Sequence, residues 1–308
     1  MASLRDIRNR IGSVQNTQQV TRAMKMVAAA KLRRAQERIF RTRPYAYKLG
    51  QIISHLKSQL DPTLHPFFQD REDVGGVLLI VVTADRGLAG AFNSNVIKLA
   101  EQTVEERFAR ERDNGTLHML AIGRKGHEHF SKRGYQMVGD FRGAFKDLQF
   151  TTAQEAVERA VEGYLDERWD EVYVVYNEFK NTISQNRIVE PLLPIPAEQF
   201  VTPVMERELD TAADPKAGQQ VDYIFEPAAE KILEVLVPRY INYQLWRALL
   251  ESNAAEHGAR MVAMDNATNN ADELLRTLRL QYNRARQSAI TKEILEIISG
   301  ANALEEAG

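Results

Sequence analysis

The residues of this chain with the strongest claim to chemistry form a loop at 83–90 with the sequence TADRGLAG. The loop follows a continuous apolar run at 76–82, which predicts a strand buried on both faces. Open α/β sheets bind ligands beyond the carboxyl ends of such strands, so a nucleotide-utilising enzyme is one hypothesis. The loop lacks the G-x-G-x-x-G spacing of a dinucleotide site, and the chain contains no G-x-x-x-x-G-K-[ST] phosphate loop. We therefore expect Gly87 and Gly90 to serve a tight turn and close helix packing.

Three neighbouring residues, His127, Glu128 and His129, raise the hypothesis of a metal site. Helix positions two apart point to different sides, and the H-E-x-x-H spacing that places two imidazoles on one face is absent. The chain has no cysteine, which excludes disulfides, thiolate metal sites and thiol nucleophiles. No local motif such as G-x-S-x-G indicates a nucleophile. The sequence therefore predicts no metal site, no cofactor and no catalytic residue of its own.

Basic side chains are concentrated at the start of the chain, where residues 1–48 hold 12 Lys or Arg against two acidic residues. The middle of the chain, 49–227, has a net charge of -10. Nucleic acid is one possible counter-charge, but interleaved aromatics and a groove-binding motif are missing, and the acidic middle would oppose DNA. An acidic protein surface fits equally well, and a merely solvated helix face is the simplest alternative. The basic positions at issue are Lys31, Arg33, Arg34, Arg38, Arg41 and Arg43.

Long helices at both ends of the chain must position these side chains. Segments 2–43 and 239–299 each contain no proline and one glycine. Apolar or small residues recur there in alternating steps of three and four, as along the seam of a coiled coil. We expect the two helices to pair antiparallel. The seam positions are Leu4, Ile7, Ile11, Val14, Met24, Ala28, Leu32, Ala35 and Ile39 in the first helix, and Met264, Ala267, Ala271, Leu274, Leu278, Tyr282, Ala285 and Ala289 in the second.

The C-terminal helix is expected to be longer than its partner. Pro44 need not end the first helix, and helices over 4–57 and 228–299 leave about 18 residues, 282–299, without a partner. The apolar residues of this overhang spread around more of the helix than one seam requires, which predicts a binding site for a sleeve-like protein partner. The alternative is that the overhang folds back on its own body. The apolar positions are Ile290, Ile294, Leu295, Ile297, Ile298, Ala301 and Leu304.

The fold class that follows is α/β: a long antiparallel coiled coil formed by the N- and C-terminal helices, plus a central doubly wound, Rossmann-like α/β domain. Apolar runs that predict strands alternate with helical patterns in the middle of the chain. We expect three domains, with 1–60 and 228–308 pairing and 61–227 between them, and no transmembrane span, because the longest uncharged apolar run is far below about 20 residues. The predicted strands are 76–82, 117–122, 171–179 and 188–195, the helices lie near 95–110, 126–133 and 152–167, and 213–220 is a surface loop.

Four blocks of the sequence resemble the gamma subunit of F-type ATP synthases of the bacterial type. They are IRNRIGSVQNTQQVTRAMKMVAAAKLRRAQ at 7–36, DRGLAG at 85–90, ARMVAMDNATNNA at 259–271 and YNRARQSAITKEILEIISGANA at 282–303. The similarity extends from end to end, and the terminal blocks are the most specific. The absence of cysteine and of any leader before the first helix favours a bacterial protein over the plastid or organelle type, and excludes thiol-switched regulation.

The resemblance implies a central rotor shaft, not itself catalytic, that couples ion flow through a membrane ring to conformational cycling of the catalytic beta subunits. The implied partners are the alpha and beta subunits, the epsilon subunit and the membrane c-ring, at the cytoplasmic face of the bacterial plasma membrane and peripheral to it. A standalone coiled-coil adaptor is the alternative. The implied partner-contact and coupling residues are Met24, Lys25, Arg33, Arg34, Arg260, Arg286, Gln287, Thr291, Ile294 and Ile298.

Simpler roles remain open for several of these residues. Met24 is compatible with packing in the seam alone, and a charge at Lys25 would lie at or beside that seam. Gln287 and Thr291 are one helical turn apart, which suits joint hydrogen bonding to a partner or mere exposure. Arg286 is compatible with an ordinary solvated charge.

Overall fold

The computed structural model describes residues 3–59, 65–69, 71, 74–196, 198–211 and 229–306. Two long helices, α1 (Leu4–Gln59) and α7 (Ala229–Glu306), occupy the ends of the chain. The chain comprises two compact units, one of 1–27 with 261–308 and one of 28–260. The predicted surface loop at 213–220 lies outside the described residues. The predicted domain limits at 60 and 227 lie next to the end of α1 and the start of α7, and they stay a prediction.

Helix α1 continues through Pro44, as expected. A proline inside a helix removes one hydrogen bond and crowds the preceding turn. Packing compensates here, because Ala46, Tyr47 and Leu49 on the next turn are buried. The predicted seam is confirmed on this part of the helix, where the buried side chains are Ala28, Leu32, Ala35 and Ile39.

The seam of α7 differs from the expectation at two positions. Thr268 and Leu275 are buried, whereas Leu274 is 39% exposed. The predicted positions Ala267 and Leu274 were therefore wrong by one residue. The reason is that the predicted seam contains only apolar, small and aromatic residues, whereas the Thr268 hydroxyl lies 2.8 Å from that of Thr21 and is satisfied inside the seam.

The two end helices run antiparallel within each unit. In the unit of 1–27 and 261–308, Thr21 lies opposite Thr268 and Lys25 lies opposite Asp265. Residue numbers that increase along α1 therefore face residue numbers that decrease along α7. In the unit of 28–260, the rings of Tyr45 and Tyr243 pack at a tilt of 50° with centroids 4.4 Å apart, and Arg43 pairs with Glu251, which lies further along α7. The predicted antiparallel coiled coil is confirmed.

A five-stranded sheet forms the centre of the unit of 28–260, in the order β3-β2-β1-β4-β5. The first four strands in that order are parallel, and β5 pairs antiparallel with β4. The predicted α/β class is thus confirmed, with an antiparallel edge strand added. The strands are β1 (Val77–Val82), β2 (Leu117–Ile122), β3 (Gln136–Met137), β4 (Glu171–Phe179) and β5 (Gln185–Leu193).

Helices cover the sheet between strands, because every side chain of β1 is buried and both faces need a partner. Val77, Leu79 and Val81 point to one face, where they join a core cluster with residues of α2 and with Phe130 of α4. Trp169 is fully buried beside α5, and its indole nitrogen donates to the Ala160 carbonyl at 2.8 Å. The helices are α2 (Phe92–Arg107), α3 (Ala109–Asn114), α4 (Arg124–Lys132), α5 (Phe150–Leu165) and α6 (Pro203–Thr211).

Candidate partner-binding surfaces

The C-terminal end of α7 presents apolar side chains to solvent. Every described side chain from 286 to 302 is exposed. The cross-helix contacts pair residues whose numbers sum to about 290, so in this register the first residue of α1, Leu4, corresponds to about position 286 of α7. The expected overhang is therefore present but starts later than 282, because Tyr282 and Ala285 are half-buried. Its exposed large apolar residues are Ile290, Ile294, Leu295, Ile297 and Ile298.

Apolar and charged side chains are distributed unevenly around the helix axis in the overhang, 286–302. At 100° per residue, its large apolar side chains fall within about half of the helix surface. Lys292 and Glu296 lie on the other half, where their side chains form an exposed ion pair at 3.5 Å. An apolar face opposite a charged face suits a partner that contacts one side of the helix differently from the other.

Polar candidates lie on the same overhang. Arg286, Gln287 and Thr291 are exposed. The Thr291 hydroxyl donates to the Gln287 carbonyl at 2.9 Å, the usual bond of a helical threonine to the preceding turn. The two residues therefore lie on one face, as the spacing predicts. Their side chains keep acceptor capacity for a partner.

Met24 and Lys25 lie on α1 in the unit of 1–27 and 261–308. The Lys25 ammonium pairs with Asp265 at 2.6 Å, so the charge sits at the edge of the seam and has an acidic partner within the chain. Met24 is half-buried. Sequence reasoning missed three exposed apolar residues nearby, which lie off the seam and have no periodic signal: Val20, Met26 and Val27.

The basic segment of α1 divides into exposed and internal residues. Arg33 and Arg34 are exposed, and Arg33 pairs with Glu37, four residues further along α1, at 3.5 Å. Arg38 donates to the Leu148 carbonyl at 2.9 Å. Arg43 is buried, so its inclusion among the surface charges was wrong. The exposed charges of this segment are those of Lys31, Arg33, Arg34, Arg38 and Arg41.

Arg260 serves an internal contact with the loop at 83–90. Its guanidinium donates to the Gly87 carbonyl and pairs with Glu256 at 2.5 Å, and its side chain is 11% exposed. Burial raises the pKa of Glu256, and the bond and charge of Arg260 oppose that shift. Arg260 therefore holds the loop from α7.

Asp85 organises the same loop through peptide groups. Its carboxylate accepts from the backbone N–H of Arg124 at 2.9 Å, of Gly143 at 2.7 Å and of Phe145 at 3.0 Å. These donors would otherwise be available to an anion, so the loop is built to be held by its own carboxylate. Gly90 has φ +57, as a tight turn requires.

The expectation of close packing was wrong for Gly87, where an added Cβ would meet nothing within 4 Å.

His129 contacts Glu101 at 2.8 Å, and the described residues contain no group of three or more His, Asp or Glu placed to hold a metal ion. Within the described ranges, no helix is long and apolar enough to cross a bilayer.

Comparison with known proteins gives one consistent result. A family model described as ATP synthase matches residues 3–304. The ATP synthase gamma chain of Salinibacter ruber is 65% identical over 308 residues, which is 100% of each chain. That of Chloroherpeton thalassium is 52% identical over 307 residues, covering 99% of each.

Solved structures show the same fold. A chain in the cryo-EM structure of Euglena gracilis mitochondrial ATP synthase, with OSCP, F1 and c-ring, matches with a TM-score of 0.63 and 21% identity over 98% of this chain and 94% of that chain. A chain of the Tetrahymena thermophila mitochondrial ATP synthase central stalk and c-ring has a TM-score of 0.54 and 24% identity over 80% and 99%.

The paired end helices and the α/β sheet therefore give the chain a fold that is found in ATP synthase structures. The chain belongs to the ATP synthase gamma chain family, a family of non-catalytic subunits of that complex. The resemblance inferred from the four sequence blocks is confirmed.

Proposed function

We propose that this chain is the central rotor shaft of a bacterial F-type ATP synthase and couples ion flow through the membrane ring to conformational cycling of the catalytic beta subunits. The observation that carries the proposal is the exposed apolar face of the overhang in a chain whose similarity to gamma chains is end to end. Exposed apolar area is unfavourable by about 25 cal/mol per Å² relative to burial. A surrounding sleeve of alpha and beta subunits would bury it.

The mechanism requires only different contacts at different rotor angles. Three chemically identical beta subunits are biased toward different conformations when an asymmetric shaft presents a different side to each. The coupling is no larger than the difference in contact free energy between the angles. The apolar and charged halves of the overhang supply such a difference.

The individual contacts are assigned by the family resemblance and the exposure of each residue. Ile294 and Ile298 turn in the apolar bearing of the alpha and beta subunits, and Arg286, Gln287 and Thr291 make polar contacts beside them. Arg33 and Arg34 face acidic loops of the beta subunits, and Met24 and Lys25 are further partner-contact residues of α1. Arg260 acts in coupling through the Gly87 carbonyl that it holds.

The remaining partners belong to the α/β domain, 61–227 in our division of the chain. We assign to it the contacts with the epsilon subunit and the c-ring. The chain is then peripheral to the membrane, at the cytoplasmic face of the bacterial inner membrane. No nucleic acid partner is part of the proposal.

The experiment compares two faces of the overhang in the assembled complex. Ile294→Ser with Ile298→Ser removes apolar contacts, and the matched control Lys292→Ser with Glu296→Ser changes the same number of exposed side chains on the other face. We expect the first pair to lower ATP-driven ion pumping per ATP hydrolysed or to weaken assembly, and the control to have a smaller effect. Equal effects of the two pairs would reject an apolar bearing.

The alternatives have separate tests. A standalone adaptor would fail to co-purify with alpha and beta subunits. A nucleotide-utilising enzyme would show ATP turnover by the purified chain that is abolished by Asp85→Asn or Arg86→Ala. We expect co-purification and no turnover by the chain alone.

A further inference from the structure

A buried ion pair joins the two end helices beside the sheet. The Arg43 side chain on α1 is 5% exposed, and that of Glu251 on α7 is 1% exposed. Arg43 Nε donates to Glu251 Oε1 at 2.7 Å, and Nη2 donates to Oε2 at 3.0 Å. The pair is therefore bidentate, the arrangement in which both the distance and the direction between two charged groups are fixed.

The same pair holds the end of β4. Arg43 Nη2 donates to the Phe179 carbonyl at 3.3 Å, and the Phe179 N–H donates to Glu251 Oε2 at 3.1 Å. Both backbone groups of the last residue of β4 are thus bonded to the pair, one by each partner. Arg43 Nη1 also donates to Glu208 of α6. Three long elements, α1, α7 and β4, meet at this one cluster.

A second buried pair lies one turn away on α7. Arg247 is 2% exposed, and its Nη2 donates to the two carboxylate oxygens of Glu190 on β5 at 2.5 and 2.6 Å. Its Nη1 donates to the Tyr176 hydroxyl on β4 at 3.0 Å, and that hydroxyl donates to Glu190 at 2.8 Å. Because 247 and 251 are four residues apart, both clusters lie on the face of α7 that meets the sheet.

Charged groups at this position require an explanation, because apolar packing would hold these elements together without the cost of removing charges from water. Burial alone would lower the pKa of Arg43, but its hydrogen bond with Glu251 and the charge of that carboxylate raise the pKa above the ordinary value. The guanidinium therefore stays charged. Apolar contacts are non-directional and let one surface slide over another, whereas a bidentate pair resists both sliding and rotation.

We propose that the Arg43–Glu251 and Arg247–Glu190 pairs form the joint that transmits torque between the helix pair and the sheet within 28–260. The four side chains act as positioning residues, which fix the angle of the helices relative to the strands. The inference rests on the proposed rotor function. It adds the residues at which rotation passes from one part of the shaft to the other.

The test measures torsional stiffness in the assembled complex of alpha, beta and gamma subunits. Since this chain has no cysteine, Lys132→Cys at the exposed end of α4, which packs on the sheet, gives the chain one attachment point for a rotation probe, used with alpha and beta subunits whose accessible cysteines are replaced. The hexamer is fixed to a surface and the catalytic sites are paused. The angular variance of the probe then measures how far the sheet can twist relative to the helix pair held by the hexamer. A residue that only stabilises the fold would change the unfolding temperature without changing this variance in fully assembled complexes.

The double variant Arg43→Met with Glu251→Gln removes both charges, so that no lone charge is left buried. We expect a larger angular variance and a loss of ion pumping against a load, with ATP hydrolysis by the unloaded complex unchanged. The matched control is Arg112→Met with Asp113→Asn, which removes an exposed ion pair from α3. We expect the control to match the unmodified chain.

The outcomes separate the two proposals. A double variant that assembles and has the variance of the control overturns the torque joint and leaves the rotor function standing. If the double variant does not assemble, Arg43→Lys decides, because lysine keeps the charge and loses the bidentate fork: an increased variance supports the joint, and an unchanged one overturns it. An unmodified complex whose probe does not rotate on adding ATP overturns the rotor function, and the joint with it.

Discussion

The ammonium nitrogen of Lys25 lies 2.6 Å from Oδ1 of Asp265, so an ion pair crosses from α1 to α7 at the edge of the seam. One turn away, the hydroxyls of Thr21 and Thr268 meet inside the seam. Polar contacts of this kind cost stability compared with apolar packing, but they specify the register of a coiled coil. We infer that this polar layer fixes which residues of the two helices face each other.

A double-mutant cycle on Lys25→Met and Asp265→Asn measures the strength of the pair. The side chains are 41% and 44% exposed, so water screens the interaction, and we expect a coupling free energy of about 0.5 kcal/mol. Urea unfolding of the purified chain gives the four stabilities that the cycle needs. A coupling above about 2 kcal/mol would instead indicate a desolvated pair.

The end helices were predictable because their signal is local and long. Steps of three and four residues recur over many turns of 2–43 and 239–299, and a single polar residue does not hide them. The errors at Ala267 and Leu274 arose where the seam contains a threonine. The sequence alone does not say that the Thr268 hydroxyl finds a partner 247 residues away, at Thr21.

The candidate surfaces were predictable to different degrees. The overhang was predictable because the two end helices differ in length and because its apolar residues spread around more of the helix than one seam requires. The burial of Arg43 could not be found in that way. An arginine in a basic segment is expected at the surface. Because its partner Glu251 is 208 residues away in the chain, only the three-dimensional packing of α1 against α7 reveals the pair.

Gly163→Ala is expected to destabilise the α/β unit. An added Cβ would lie 2.0 Å from Cζ2 of the buried Trp169, so the indole must move and its bond to Ala160 must weaken. Such overpacking costs about 1–3 kcal/mol, measurable by urea unfolding with tryptophan fluorescence.

Gly12→Ala is the matched control for this change. A Cβ at Gly12 would meet nothing within 4 Å, and alanine is favoured over glycine inside a helix by about 1 kcal/mol. We therefore expect the control to stabilise α1. A stabilising effect of Gly163→Ala as well would contradict the close packing against Trp169.

His257 should make the chain less stable as the pH falls from 6.5 to 4. Burial, with the charges of Lys31 and Arg260, lowers the pKa of His257 from 6.5 to about 4. Its Nδ1 is buried and has no hydrogen-bond partner among the described residues, so the folded chain gains a proton less readily than the unfolded chain. The contribution is fully present above pH 6.5, and up to about 3 kcal/mol is lost by pH 4.

Urea unfolding of the unmodified chain and of His257→Leu, each measured from pH 4 to 7.5, isolates this effect. Leucine cannot titrate, so the variant should show a shallower loss of stability in the window. The raised pKa of Glu256 acts in the opposite direction in both proteins and cancels in the comparison. Parallel pH profiles would mean that His257 is protonated as easily in the folded chain as in the unfolded one.

Arg33→Gln with Arg34→Gln tests whether the exposed charges of α1 face an acidic partner. Both side chains are exposed, so the unfolding free energy of the purified chain should change by no more than about 0.5 kcal/mol. In the assembled complex, the rate of ATP-driven ion pumping should differ from that of the unmodified chain at low salt. The difference should shrink near 1 M salt, where the Debye length is about 3 Å.

Arg110→Gln with Arg112→Gln makes the same change of charge on exposed positions of α3, and we expect it to leave the salt response unaltered. If both double variants respond to salt like the unmodified chain, Arg33 and Arg34 are solvated charges without a partner.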